Sequence, residues 1–400
     1  MGLERTDVLA GAPEGVMLRR DFLRIAGATV ASLGGASVLA ACGSSGGTPS
    51  AAGTPAATAG KVGGPLDLFT WQGYELTKPF KPWRGQHGIE QKVKYINNQF
   101  DVVSILRGPG GKSYDSSSAN QAYTKLFQGL GLMAPISVAN VPSLGKMYPF
   151  FRDSPIWKWG GSSEAYNSVP WTWGAIGINY LSDRAAQPAS WNVLIDPANR
   201  GRVGTYDDAY NNVSIAAIAL GLDLTKITRG DLNGPIKDWL TKLKANLKTI
   251  SVNLGDQQTL LVNKEVDYMS VGLSLFKVGG RQQGAKDIGF AIPREGGFGF
   301  CDAAFVTPWA PNKANAFAFC EALLGGKTAA IAANSLTQGV AVPGVVPMLN
   351  ADTRGLYPYD DLQPYLSGKL KFQVNFSPSS GQDIASFDDI NKLWQQIKAS

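Results

Sequence analysis

Two large aromatics and a carboxylate, Trp71, Tyr74 and Glu75, fall within five residues in the string FTWQGYE (69–75). Aromatic faces cover methylenes and attract cations, at about 0.5–2 kcal/mol per contact. A carboxylate adds a charge-assisted hydrogen bond to an ammonium. Displayed on a cleft wall, these residue types suit the capture of an organic cation; turned inward, they are core packing plus one solvated charge.

Strings with catalytic spacing do not complete their patterns. Arg107-Gly-Pro-Gly-Gly-Lys-Ser113 ends like a phosphate-binding loop, but the glycine required five residues before Gly111 is Leu106. Ser143-Leu-Gly-Lys146 matches Ser-x-x-Lys, yet the companion elements Ser-Asp-Asn and Lys-Thr-Gly are Ser182-Asp183-Arg184 and Lys327-Thr328-Ala329 here. His87 is the one histidine of the chain, so there is little for a Ser-His-Asp triad, and no Cys/His spacing suits zinc. We expect no enzyme, no cofactor and no metal.

Residues 18–24 read LRRDFLR and precede the small, apolar run IAGATVASLGGASVLAA. A basic segment before an apolar one is an export signal rather than a fold element, and its adjacent arginines resemble a twin-arginine (Tat) signal. Leu39-Ala40-Ala41-Cys42 resembles a bacterial lipobox. That resemblance implies a lipid on the Cys42 sulfur and cleavage before it, leaving 1–41 as signal peptide. The following Gly/Ser/Thr/Ala/Pro-rich stretch, to residue 63, lacks the apolar surface to order itself. A coil of roughly 20 residues reaches about 25 Å, enough to hold a globule just off a membrane.

The chain of 400 residues is 44% hydrophobic and 17% charged, and its remaining length suggests two domains. The net charge is +6 and the pI about 9.0, without a Lys/Arg stripe, so nucleic acid is a poor partner. Besides Cys42 there are Cys301 and Cys320, which either pair outside the cytoplasm or stay as two buried thiols. FDVVSIL (100–106), VPWTWGAIGINY (169–180) and CDAAFVTP (301–308) read as strands, and 213–222, 235–248 and 312–333 as helices. Such alternation predicts an α/β fold with central sheets.

Five phrases in order resemble the spermidine/putrescine-binding proteins, solute receptors of bacterial ABC importers. They are Trp71-Gln-Gly-Tyr74 after LDLF; Val169-Pro-Trp-Thr-Trp173 running on to Asn179; Ser190-Trp191 through Asp196-Pro and then Thr205-Tyr-Asp207-Asp208-Ala209; Ile292-Pro-Arg-Glu through Phe300-Cys-Asp302; and Asn312-Lys313 followed later by Val342-Pro343. The resemblance runs from about residue 66 to the C-terminus. It implies an α/β, two-lobed periplasmic-binding-protein-like (type II) fold with a ligand cleft between the lobes. We expect lobe 1 to hold 64–174 plus 303–345 and lobe 2 to hold 175–302 plus 346–400, with crossings near 174–180 and 298–303.

Carried over residue by residue, the resemblance makes Trp71 and Tyr74 wall aromatics and Asp208 and Asp302 ammonium-binding carboxylates. Phe300 takes the place of a cleft tryptophan, Trp173 is a further aromatic candidate and Glu75 a further acid. Asn211 stands where the family has a second acid, and the aromatics expected near 268–272 and at Val340 are missing. Asp208 also suits a helix N-cap, whereas an unpaired charge at Asp302, inside an apolar strand, would be costly. The expected protein is a monomeric, exported, membrane-anchored receptor that takes a polyamine and delivers it to the permease subunits of an ABC transporter. The alternatives are another small organic cation or an amino-acid-like solute, ferric iron, an extracellular hydrolase, or an envelope lipoprotein with an empty cleft.

Overall fold

The computed structural model describes residues 60–97, 99–372 and 383–400; the signal, Cys42 and most of the linker lie outside them. The first strands, β1 (Gly64–Thr70), β2 (Ile89–Tyr95) and β3 (Ser116–Asn120), are parallel, with β1 in the middle. A two-stranded ribbon, β4 (Ile136–Ser137) with β5 (Ala165–Tyr166), stands apart from the main sheet. Next come the long β6 (Val169–Leu181), then β7 (Val203–Tyr206), β8 (Leu247–Ser251), β9 (Tyr268–Leu273) and β10 (Ile288–Ala291). The series closes with β11 (Gly297–Val306), β12 (Gly339–Val340) and β13 (Leu370–Phe372). All but the small ribbon share one sheet, whose main path runs β2-β1-β3-β11-β6-β9-β7-β8.

Two strands serve both halves of that sheet. The 13 residues of β6 extend about 43 Å at about 3.3 Å per residue, roughly twice a common strand. Thr172 and Trp173 pair with β12, whereas Ile178–Leu181 pair with β10. In the same way β11 pairs with β3 through Asp302–Val306 and with β13 through Gly297–Gly299. Two cores form at the two ends. One gathers Trp173, Phe151, Phe80 and Tyr357; the other gathers Trp191, Trp394, Leu240 and Phe276. The chain passes between them at Ala175/Ile176 and again at Phe300/Cys301. The strands β6, β10 and β11 contribute side chains to both cores.

Three sequence expectations are corrected. Residues 100–106 lie in a helix, Gln99–Arg107, not a strand. Val102, Val103 and Leu106 are buried, a spacing that lines one helical face, and Asp101 in the first turn suits the helix N-terminus. The helix expected over 312–333 is two, Lys313–Leu324 and Gly326–Leu336, bent by 67° at Gly325. The expected division at 345/346 is displaced, because Val345, Leu349, Tyr357, Tyr359, Leu362, Leu366 and Leu370 all pack in the first core. Among the described residues the second core takes up the C-terminal segment from Ala385 onward. Cys301 and Cys320 are free thiols, both buried. Among the described residues no single helix is long and apolar enough to cross a membrane.

Candidate functional site

Asp302 is the centre of one polar cluster in an apolar strand. Opposite it the β6–β11 register shifts: Asp302 pairs with Thr172 and Ala303 with Pro170, so Trp171 is the extra residue of a bulge. Pro170 supplies the reason, since a proline cannot donate to the ladder and is tolerated in a sheet at bulges and edges. The carboxylate is 9% exposed. The Tyr74 hydroxyl donates to Asp302 Oδ2 at 2.6 Å, and Asn120 Nδ2 donates to Oδ1 at 2.8 Å. The Tyr74 ring meets the Trp171 ring edge-on, with centroids 5.0 Å apart. Thr172 Oγ1 donates to Gln338 Oε1 at 2.5 Å on the neighbouring strand connection.

Burial raises the Asp302 carboxyl above the ordinary carboxylate range, while the bonds from Tyr74 and Asn120 pull it back. Burial, and then the charge of Asp302, push the Tyr74 phenol well up, so the phenol remains a donor at neutral pH. Each carboxylate oxygen accepts one bond, and a carboxylate has about four acceptor positions in all. Capacity for a cationic partner therefore remains, and an incoming ammonium would offset the cost of holding this charge out of water.

A second cluster surrounds Asp208. This residue caps the helix Ala209–Ala219, with Asp208 Oδ1 accepting from the Asn211 backbone N–H at 2.7 Å. The buried Asn212 amide donates to the carbonyls of Tyr206 and Asp208, both at 2.8 Å, and fixes the turn. The neighbouring Asp207 is anchored elsewhere, accepting from Trp394 Nε1 at 2.7 Å and Lys398 Nζ at 2.8 Å on the C-terminal helix Phe387–Ala399. Burial raises the Asp208 carboxyl, the bond from Asn211 opposes this, and the charge of Asp207 adds to it. Aromatic rings crowd the turn: Tyr210 lies edge-on to Phe298 at 5.3 Å, and Tyr123 stacks on Phe387 at 4.9 Å. Burial pushes the Tyr210 hydroxyl well up, and the charges of Tyr123, Asp208 and Asp302 act on it in the same direction. Tyr210 thus lies within electrostatic reach of the carboxylates of both lobes.

The structure sorts the residues singled out from sequence. Tyr74 and Asp302 are brought together. Asp208 is a cap that accepts backbone N–H bonds from Asn211 and Tyr210. Phe300 is half-buried and packs against the second core, its ring lying across Gly174, where a Cβ would come within 2.4 Å of it. Trp71 is half-buried at the end of β1. Glu75 turns back on its own loop, accepting from the Gly73 N–H at 2.6 Å and from the Tyr95 hydroxyl at 3.4 Å. Trp173 is corrected from cleft wall to core: it is 0% exposed, donates Nε1–H to the Val340 carbonyl and packs on Tyr357 at 4.2 Å. Ser143 of the Ser-x-x-Lys string donates its hydroxyl to Glu321 at 2.6 Å. Gly272 has no room for the missing aromatic, since a Cβ would meet the Asn179 nitrogen at 2.3 Å. Sequence reasoning missed Asn120, Trp171, Gln338, Tyr123 and Tyr210; only Trp171 carried a signal, the proline before it in a strand-like run. Among the described residues no group of acids, Cys and His is arranged to hold a metal ion.

A profile of the bacterial extracellular solute-binding protein family matches residues 76–349. The chain belongs to this family. Among its relatives, this solute-binding protein is 23% identical over 328 residues to the putrescine-binding periplasmic protein PotF of Escherichia coli (strain K12), covering 75% of this chain and 85% of the relative. A spermidine/putrescine-binding periplasmic protein of Haemophilus influenzae is 22% identical over 301 residues, covering 74% and 81%. In structure it is similar to a putative spermidine/putrescine ABC transporter protein from Listeria monocytogenes, with a TM-score of 0.70, 19% identity and coverage of 84% and 98%. These likenesses establish the two-lobed solute-binding fold.

Proposed function

We propose that this solute-binding protein is the receptor of an ABC importer for a polyamine-type organic cation, held between its lobes with one ammonium on Asp302. The observation that carries the proposal is the buried Asp302 carboxylate, held by Tyr74 and Asn120 with acceptor positions to spare. The names of the relatives, putrescine- and spermidine/putrescine-binding proteins, support the same ligand class. Asp208 is the opposite pole, with the Tyr123–Tyr210 aromatic group beside the methylenes. Cys42 carries the lipid that tethers the exported monomer, and the ligand-closed form is the one that docks on the permease, because a ligand contacting both lobes stabilises closure.

The test is calorimetry on the purified mature protein after an unfolding and refolding step that strips bound ligand. Putrescine, spermidine, spermine, a set of amino acids and choline-like cations are titrated. Saturable binding of an organic amine, abolished by Asp302→Ala and weakened by Asp208→Ala, is expected. A folded protein that binds none of them, or binds them equally well without Asp302, refutes the assignment.

A further inference from the structure

Two buried N–H donors with no protein partner, on Gln99 and Trp171, belong to residues that touch Asp302's own partners, Asn120 and Tyr74. Gln99 is 7% exposed at the start of the helix Gln99–Arg107. Its Oε1 accepts from the Asn120 N–H at 3.4 Å, which holds the amide at the end of β3. Its Nε2 is unpartnered. Asn120 is the residue whose side chain donates to Asp302, so one residue links the Gln99 amide to the carboxylate. Trp171 is 3% exposed, is set next to Asp302 by the β-bulge and touches the Tyr74 ring, and its indole Nε1–H is also unpartnered. Indole N–H and amide N–H groups donate only, and a buried donor without an acceptor is costly. Most buried polar groups do have a partner, so two exceptions on neighbours of Asp302's partners ask for an explanation.

A protonated diamine cannot supply it. Each of its ends is an ammonium with donors alone, which satisfies Asp302 and leaves both N–H groups facing more N–H groups. An oxygen with free lone pairs satisfies them. From this juxtaposition we propose that the ligand is an aliphatic amine that also carries an oxygen acceptor: the ammonium sits on Asp302, and the oxygen takes hydrogen bonds from Gln99 Nε2 and Trp171 Nε1. The inference rests on the reading of Asp302 as the ammonium site and narrows the ligand class within it.

The test compares two matched series on the refolded mature protein: diamines, and ω-amino alcohols of the same length, from two to five carbons. Calorimetry gives Kd for each. At the best-fitting length the amino alcohol is expected to bind at least about tenfold tighter than the diamine, as two satisfied buried donors imply. Gln99→Leu and Trp171→Phe are each expected to shrink that ratio to about threefold or less. A diamine that binds as tightly as the amino alcohol at every length overturns the inference and leaves the polyamine reading standing. So does a preference that persists in both variants, because it then arises elsewhere. Silence from both series with folded protein overturns the inference and the Asp302 ammonium site together, and the wild-type comparison needs neither variant to fold.

Discussion

Replacing Asp302 by Asn removes one charge at nearly constant shape, and its two consequences should separate. Binding loses a charge-assisted hydrogen bond to the ligand ammonium, an interaction of about 1.5–3 kcal/mol. At about 1.4 kcal/mol per factor of ten, Kd for putrescine or an equivalent amine rises by about 10- to 150-fold. Stability has two opposing terms. Asn120 donates to Oδ1 of Asp302 and Tyr74 to Oδ2; in the amide one of these positions becomes a donor-only NH2, so about 1 kcal/mol of hydrogen bonding is lost. In return the variant no longer holds an ionised carboxylate at a site where burial disfavours the charged form. The net change is expected to be small, within about 4 °C in Tm. Calorimetry at fixed pH and salt, with thermal unfolding of the unliganded proteins beside it, reads both quantities. A Kd that moves by less than about threefold refutes Asp302 as the ammonium site. A Tm drop beyond about 10 °C makes the carboxylate a structural group instead.

Tyr74→Phe keeps the ring on Trp171 but leaves Asp302 Oδ2 without its 2.6 Å donor, so the Asp302 carboxyl should rise further. Amine affinity is expected to fall by about 1–2 kcal/mol, more at pH 5.5 than at pH 8, checked by calorimetry at both. The raised carboxyls of Asp302 and Asp208 fix the sign of a pH effect: a folded value above the unfolded one gives stability that is complete below about pH 3.9 and is lost as pH rises through the folded value. The unliganded wild type should therefore lose Tm relative to Asp302→Asn across that window, while cation-induced stabilisation grows over the same window; parallel Tm curves for the two proteins would contradict this. Trp173→Ala empties a fully buried site and should cost about 3–5 kcal/mol in denaturant unfolding, with the Kd of the folded fraction changed by less than about threefold. A large affinity loss without destabilisation would return Trp173 to the cleft.

How much of this was legible in the chain depends on where the deciding contacts lie. The long strand β6 could be read directly, because an uninterrupted apolar run dotted with glycines is what a strand buried on both faces needs. Residues 100–106 misled for a local reason. Val102 and Val103 favour strands by type, and only the burial of Leu106 with them shows the helical face. The misplaced C-terminal division has a tertiary cause. Tyr357 fills space against Trp173, 184 positions earlier, and Tyr359 offers its hydroxyl to the Val340 N–H at 3.3 Å. No periodicity within 346–370 announces which lobe those rings will join.

The same limit governs the site. Asp302 and Tyr74 could be singled out one at a time, but they stand 228 positions apart and meet because β3 lies between β1 and β11 in the sheet. If Trp171 were an ordinary paired residue of β6, every residue on one side of it would change face relative to β11. The sheet would still form, with Asp302 opposite Thr172 as before and Ala303 opposite Trp171 instead of Pro170. The bulge is thus an adjustment inside the first core: it accommodates Pro170 and sets Trp171 next to the strand position of Asp302.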